Sequence, residues 1–442
     1  VTIVLPSAPF GVELPLDEAE QQFWAARPEF DTLRTWARAR MVSPWAVLGV
    51  ALLRVLSQVP PGWVLPPTIG TFAGLNLFVG VVGASGDGKD AAIGVAEDAI
   101  EVGEPVAHLP IGTGEGIRQT YVTSTKDEDT GKWRIDQHTE SAIFEASEID
   151  KVAAHAARKG ATLLSTLREA WTGSKPLGAT NADAERRNWV SPHRYRLGLI
   201  VGVQPGRGRA LLNEDEIAGG TPQRFVWLPG ADADMPDVEP DEPEPLKWRL
   251  PDPPREVRRD GQLRVLPVCL PVAREIKAAH RARRRGQGDA IGGHAMLARE
   301  KVAAALGLLA GRAEVTIEDW ELAGTVMRVS DRTREAIEKV LGEAASRENA
   351  AKGKAEAARA VMVDEARADS AISRVVETIL RRLGTADGAV SRADLRRALQ
   401  AVDRDHFDEA AGRLIGTGQI EAETVTKRGQ SGVQYRLSAA RR

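Results

Sequence analysis

One cysteine, Cys269, stands in the whole chain of 442 residues, which excludes an internal disulfide framework. It lies in the apolar run Leu266-Pro-Val-Cys-Leu-Pro271 and reads as a small buried hydrophobe. No group of Cys and His has zinc-site spacing. No apolar run is long enough to cross a bilayer. The longest, Pro44-Trp-Ala-Val-Leu-Gly-Val-Ala-Leu-Leu, stops at Arg54, well short of the roughly 20 residues a spanning helix needs, and reads as a buried helix. No basic segment followed by an apolar one opens the chain, so no signal peptide and a cytoplasmic location are expected. An excess of one charge is missing too. The 59 Lys and Arg against 62 Asp and Glu leave a net charge of -3, which argues against a wholly basic nucleic-acid coat but permits local basic surfaces. No internal repeat recurs at a fixed period.

What is present has the length of two to four domains at about 100–200 residues each. Residues 16–60 read as helices, one of them opened by Ser43-Pro44 with proline at the first helical position. Pro60-Pro-Gly62 ends that block. The short apolar runs at 77–82, 142–144, 197–201 and 225–228 read as strands buried on both faces, with helices or loops between them. This alternation predicts an α/β fold with a largely parallel sheet. A hairpin is expected between Tyr121 and Ile135, turning at Asp129-Thr-Gly131. Residues 231–254 are acidic and proline-rich and read as a surface linker. A helical region starts near Val272, and 334–382 reads as one or two long exposed helices. From 370 onward the order is helix, short strand, two helices and a two-stranded hairpin, which is a winged-helix pattern.

Gly83-Ala-Ser85-Gly86-Asp-Gly88-Lys89-Asp90 has the spacing of a phosphate-binding P-loop between a buried strand and a helix. In such a loop glycines let backbone N–H groups curl around phosphates, the lysine reaches the β- and γ-phosphates, and the helix start favours an anion. A plain glycine-rich turn is the alternative. Asp90 stands where a Ser or Thr normally meets Mg²⁺. The strand ending at Phe144-Glu-Ala-Ser147-Glu148 carries Ser-Glu where such proteins have Asp-Glu. Asp90 and Ser147 therefore read as metal ligands with carboxylate and hydroxyl exchanged, and Glu148 as the residue that orients water. The other reading is that both positions have drifted and hydrolysis is lost.

The order of later features resembles the minichromosome-maintenance-like AAA+ helicases and related phage or plasmid replication ATPases. Val201-Gly-Val-Gln204-Pro205 is similar to their sensor 1 strand, with Gln204 for the usual Asn. Gly220-Thr-Pro-Gln-Arg224-Phe225 is similar to the segment whose arginine enters the neighbouring subunit's nucleotide site. Val315-Thr-Ile-Glu-Asp-Trp-Glu-Leu-Ala323 resembles the last helices of their lid, where sensor 2 falls nearest His294, with Arg299 one turn on. The resemblance covers about 75–330 and 370–442 and lacks the family's N-terminal zinc and β-barrel domain. It implies five regions: a helical N-terminal region at 1–66, a P-loop core at 67–258, a helical lid at 259–345, a helical linker at 346–369 and a winged-helix domain at 370–442.

The resemblance further implies ATP and Mg²⁺, a hexameric ring, single-stranded or forked DNA, and a primase or initiator as a possible partner, with no membrane. It places a pore hairpin at 178–189, where Arg186 and Arg187 would grip phosphate and Trp189 would stack on a base. A solvated loop is the alternative there. Gly112-Thr-Gly-Glu-Gly116 would face the pore or simply turn the chain, and the run Arg281–Arg285 would touch DNA or be a solvated helix face. In the C-terminal segment Asp403, Asp405, Asp408 and Glu409 disfavour insertion into a groove. Lys427 and Arg428 of the hairpin, with Arg441 and Arg442, are the phosphate contacts expected instead, and a protein-binding winged helix is the rival. The function expected is an ATP-driven DNA translocase or replicative helicase. The alternatives are a nucleotide-binding replication initiator or assembly protein with weak or no hydrolysis, and, least favoured, a small-molecule kinase.

Overall fold

A computed structural model describes residues 16–84, 86–104, 106–158, 161–179, 188–259, 261–286, 294–427 and 430–438. Ser85, Arg186, Arg187, Arg428, Arg441 and Arg442 lie outside the described residues. The chain divides into two compact units, Val1–Ala344 and Ala345–Arg442; the expected borders at 66/67 and 258/259 fall inside the first.

Five strands form one sheet in the first unit: β1 (Leu77–Val82), β2 (Ala107–Pro110), β3 (Ser141–Ala146), β4 (Arg196–Val203) and β5 (Phe225–Pro229). Their order is β5-β1-β4-β3-β2, and every pairing is parallel. The fold is thus α/β with a parallel sheet, and β1 and β4 are buried at every residue. That is why they read as unbroken apolar runs. The two-residue period sorts their side chains into separate cores. Leu77, Val79, Val81, Ile143, Ile200 and Leu228 face one way; Phe78, Val82, Phe144, Leu199, Val201 and Trp227 face the other.

The first core is closed by α1 (Leu16–Ala25), α2 (Pro28–Ala39), α3 (Pro44–Gln58) and, after β1, α4 (Ala91–Ala99). Helix α3 is apolar on every side because it lies between the sheet and the neighbouring helices α2 and α4. A Cβ on its Gly49 would stand 2.6 Å from Leu228 Cδ1 and 3.0 Å from Val79 Cγ1, so the helix rests directly on the strands. The second core is closed by α5 (Gly114–Gln119), α6 (Ile149–Ala156) and α7 (Leu163–Thr172). Gly114 is needed for this packing: a Cβ there would stand 2.4 Å from Thr166 Oγ1 and 2.6 Å from Thr162 Oγ1. Gly114 therefore serves helix packing, and Thr113 caps α5 by accepting the Gly116 N–H.

A short helix, α8 (Glu214–Gly219), precedes β5, and α9 (Leu270–Arg284), α10 (Ala295–Leu309) and α11 (Ile317–Gly384) follow. One expectation changes here. The acidic, proline-rich stretch 231–254 is not a free linker. Leu246–Lys247 pairs with Ile100–Glu101, and Trp248 is buried, its indole N–H donating to Leu308 O at 2.7 Å. The long helix expected over 334–382 is present as part of α11, whose 68 residues contain no proline and are rich in Ala, Glu, Lys and Arg; the border between the two units falls within it. Cys269 begins α9 and is partly buried. The basic residues Arg281, Arg283 and Arg284 lie in the last turn of α9, where they complement the helix dipole.

In the second unit β6 (Val390–Ser391), α12 (Arg392–Arg397), α13 (Phe407–Gly416), β7 (Ile420–Lys427) and β8 (Gln430–Leu437) succeed one another. The strands form an antiparallel sheet in the order β6-β8-β7 over a core of Val375, Ile379, Leu395, Phe407, Leu414 and Tyr435. The helix expected from 404 starts only at Phe407. Before it, Ala401–His406 is a 3-10 turn, pinned where Arg374 donates to Asp403 at 2.7 and 3.4 Å.

Two neighbouring charges of α10 are buried in the first unit. Lys301 is fully buried with no carboxylate partner among the described residues; its ammonium donates to Asn76 O at 2.8 Å and to Trp171 O and sits 3.8 Å from the Trp171 ring centre. Asn76 in turn accepts the Leu197 N–H and donates to Ala170 O, so one polar network joins β1, β4, α7 and α10. Glu300 has an oxygen without a partner, and burial raises its carboxyl to about 7 against a smaller opposing pull from Lys301. A carboxyl raised in the folded state favours folding below its unfolded pKa and loses that contribution as pH rises through about 7. Glu300→Gln is therefore expected to stabilise the protein at pH 8 by about 1–3 kcal/mol and much less at pH 5. Urea unfolding at the two pH values checks this; equal effects at both would contradict it.

Candidate functional site

The connections of the sheet part between β1 and β4. After β1 the chain runs to β2 at one edge; after β4 it passes over β1 to β5 at the other. A crevice opens beyond the carboxyl ends of strands at such a point, and open α/β sheets bind ligands there. Here it is a cleft of about 280 Å³, sealed at its base by the Gly83 N–H donating to Val203 O at 3.0 Å.

The loop that follows β1 forms one wall. Gly86 and Gly88 have φ of 96° and 67°, which an L side chain adopts only with strain. Gly83 has no room for a Cβ, which would stand 2.7 Å from Asp87 Oδ2. Asp87 in turn accepts the Ala84 N–H at 2.5 Å, so the turn is tied to itself. Lys89 lies across it, donating to Gly83 O at 3.2 Å and Ala84 O at 2.5 Å. Its stem passes between two glycines, since a Cβ on Gly202 would be 3.6 Å from Lys89 Cε and one on Gly230 3.4 Å from Lys89 Cγ. Helix α4 starts immediately after Asp90, whose side chain caps nothing.

The ends of β3 and β4 form the facing wall. Ser147, Glu148 and Gln204 line the cleft, as do Asp150 and Arg207, which form an ion pair at 2.7 Å. The structure thus brings together Gly86, Gly88, Lys89, Asp90, Ser147, Glu148 and Gln204, all singled out in the sequence. It adds a residue the sequence reasoning missed. Glu145 is paired with Ile200 in register and projects on the α4 side of the sheet, where it shares a small cavity with Lys89, Asp90 and Ile93. The Ser147 hydroxyl donates to Glu145 Oε1 at 3.2 Å. The available signal was one carboxylate inside the apolar run Ala142-Ile-Phe-Glu145-Ala. Around the cleft stand five carboxylates (Asp87, Asp90, Glu145, Glu148, Asp150) and two cations (Lys89, Arg207). Among the described residues no three potential ligands are already gathered as a metal site.

The remaining expected residues lie elsewhere. Arg224 precedes β5, and the register Phe225 with Phe78 through Pro229 with Val82 puts it at the amino end of the sheet. The cleft is at the other end, about 17 Å away for a strand of this length. Arg224 donates to Gly219 O at 3.3 Å and to Gly220 O, and its guanidinium faces the Trp171 ring at 5.7 Å. His294 meets the same ring edge-on at 5.7 Å. Burial lowers Arg224 to about 10 and, with Arg224, Arg283 and Lys301 nearby, His294 to about 4. Arg299 stacks 4.0 Å over Trp320, donates to Trp320 O and pairs with Glu275 at 3.3 Å. Neither His294 nor Arg299 lines this cleft, because α10 packs beside Pro222–Arg224 at the amino end.

Trp189 is half-buried in a strand, Asn188–Val190, paired with Leu177–Ala179. That strand packs on the hairpin Val122–Lys126 and Trp133–Gln137. The hairpin's turn carries Asp127, Glu128 and Asp129, an unfavourable sign for phosphate. Lys427 ends β7, its backbone paired with Gln430. No helix among the described residues is long and apolar enough to cross a membrane. No family model matches the chain, and no curated protein matches it.

The cleft depends on how closely β3 and β4 end together. A Cβ on Gly202 would stand 2.1 Å from Ser147 O. Gly202→Ala is expected to destabilise the protein by about 1–3 kcal/mol, the usual range for overpacking, read by urea unfolding. A variant as stable as the parent would contradict the close approach.

Proposed function

We propose that the chain is a P-loop ATPase of the AAA+ type that works as a ring on DNA, resembling the minichromosome-maintenance-like replicative helicases of phage and plasmid replicons. One observation carries this reading: a glycine loop with a lysine, a helix start and a set of acids converge on the crevice where the connections of the sheet part. The backbone N–H groups from Gly86 to Lys89 would hold the phosphates of ATP, and Lys89 would exchange the loop carbonyls for the β- and γ-phosphates.

The residues also fit Mg²⁺. Five carboxylates against two cations repel a bare triphosphate, and a divalent cation bridging phosphate and carboxylate reverses that sign. Asp90 and Glu145 are the carboxylates placed for it, with Ser147 holding Glu145 in orientation; the bound ion would supply charge neutralisation at the phosphates. Glu148 would orient the attacking water and Gln204 would contact the γ-phosphate. Arg224 is too far from its own cleft to serve it, which supports a role in a neighbouring subunit's site, and His294 stands beside it on the same side. The DNA contacts would come from Arg186 and Arg187, from Trp189, and from the winged-helix-like second unit with Lys427 and Arg428. A primase or initiator would be a further partner.

A second reading, a nucleotide-binding initiator or assembly protein with weak or no hydrolysis, is favoured by Asp90 replacing a hydroxyl and by the engagement of Ser147 with Glu145. Lys89→Ala is expected to remove ATP binding, measured with a fluorescent nucleotide, while circular dichroism stays unchanged. Unaltered affinity would end the P-loop reading. Mixing Lys89→Ala with Arg224→Ala subunits is expected to restore turnover above either variant alone, because an arginine finger contributes on the order of 10³ or more. Mixed rings no more active than their parents would remove the role across subunits.

A further inference from the structure

A second cavity, of about 170 Å³, opens at the amino end of the sheet, opposite the nucleotide cleft. Its walls are the Pro60–Trp63 loop, Glu140 just before β3, His193 and Arg194 just before β4, and Arg264 with Gln262. His193 is 3% exposed, and neither of its ring nitrogens has a hydrogen-bond partner. Unpaired buried polar atoms are uncommon and costly. The residue is also held at φ 58°, a left-handed conformation that disfavours a side chain, by its N–H donating to Gly173 O at 2.8 Å. The fold therefore spends strain to keep an unpaired imidazole on the wall of a cavity.

The charges around it have one predominant sign. Arg196 is fully buried behind the Pro60–Trp63 loop and donates to Val59 O at 3.3 Å, Pro60 O at 2.9 Å and Trp63 O at 3.3 Å, with no carboxylate partner among the described residues. Arg264 has a single bond to a carbonyl, Pro254 O at 3.4 Å. Arg194 pairs with Glu140 at 3.5 Å, and Arg259 is near enough to act on His193. Among the described residues two guanidinium groups, Arg194 and Arg264, and one carboxylate, Glu140, line the cavity, with Arg196 behind its wall, and a buried cation answered only by carbonyls favours an incoming anion. Burial, then Arg259 and Arg196, lowers the imidazole to about 4, so at neutral pH it presents one N–H donor and one acceptor nitrogen.

We propose that this cavity is a binding site for a small oxyanion of the phosphate class, with Arg264 and Arg194 clamping it at the mouth and the His193 ring, whose nitrogens are enclosed just behind the wall, turning to donate to it. Guanidinium groups match phosphate oxygens in pairs, and a phosphate or phosphomonoester carrying one proton would also satisfy the acceptor nitrogen. The site is separate from the ATP cleft and does not rest on the ATPase reading.

The test uses the full chain carrying Lys89→Ala, so that phosphate binding in the cleft does not intrude, with histidine-selective isotope labelling. Loss of one of the seven imidazole signals in His193→Asn assigns the residue. Inorganic phosphate and a simple phosphomonoester are titrated separately at constant ionic strength, with chloride as control. The expected result is a saturable shift of the His193 signal and a rise of its pKa with phosphate and not with chloride. Arg264→Gln is expected to weaken binding about tenfold or more, with the other histidine signals unmoved. Saturation with the monoester at much lower concentration than with phosphate would identify an esterified ligand, and the reverse free phosphate; either supports the site. A His193 signal that does not move with either, moves equally with chloride, or responds identically in Arg264→Gln would overturn the proposal.

Discussion

The candidate site depends on one close approach. Strands β3 and β4 reach their carboxyl ends so near each other that Gly202 has no space for a side chain against the Ser147 carbonyl. That missing side chain gives the Lys89 stem a channel, and Gly230 beyond β5 supplies the opposite side. The loop after β1 is then fixed from three directions: by the Gly83 bond to β4, by Asp87 closing the turn, and by Lys89 lying over its carbonyls. Preorganisation of this kind reduces the ordering cost that a bound anion would otherwise meet.

The two ends of the sheet differ in charge. Acids collect at the carboxyl ends of the strands, around Asp90, Glu145, Glu148 and Asp150. Cations collect at the amino ends, where Arg196 and Lys301 are buried, and Arg224 partly buried, among carbonyl oxygens and the Trp171 ring. The first arrangement suits phosphate brought with a divalent cation; the second suits anions directly. Lys301 also joins α10 to α7 and to Asn76 before β1 through backbone carbonyls, and the Asn76 side chain carries the network on to β4, so a group that sets the local field also holds the elements together.

Much of this was legible in the sequence, for local reasons. Strands covered on both faces must be apolar throughout, and β1, β4 and β5 announced themselves that way. The glycine loop was legible because backbone conformation at Gly86 and Gly88 demands glycine. What escaped depended on non-local facts. Glu145 looked like part of a strand until register turned it towards α4. The distance between Arg224 and Lys89 follows from parallel pairing, which no local pattern states. Trp248 converts an acidic, proline-rich stretch into an anchored strap, and nothing near it signals the Leu308 carbonyl that it meets. Lys301 and Arg196 carry no local signal in the sequence, because burial of a cation among carbonyls leaves no mark on hydrophobic periodicity.

The account's central claim is that the cleft is a motor site coupled to DNA. It is tested most directly by steady-state ATP turnover of the wild-type chain with and without single-stranded DNA, at low and moderate salt. The account predicts turnover that rises with DNA, with the stimulation weakening as salt screens the phosphate contacts. Tight ATP binding with no turnover under either condition would contradict it and leave the chain a nucleotide-gated initiator or assembly protein.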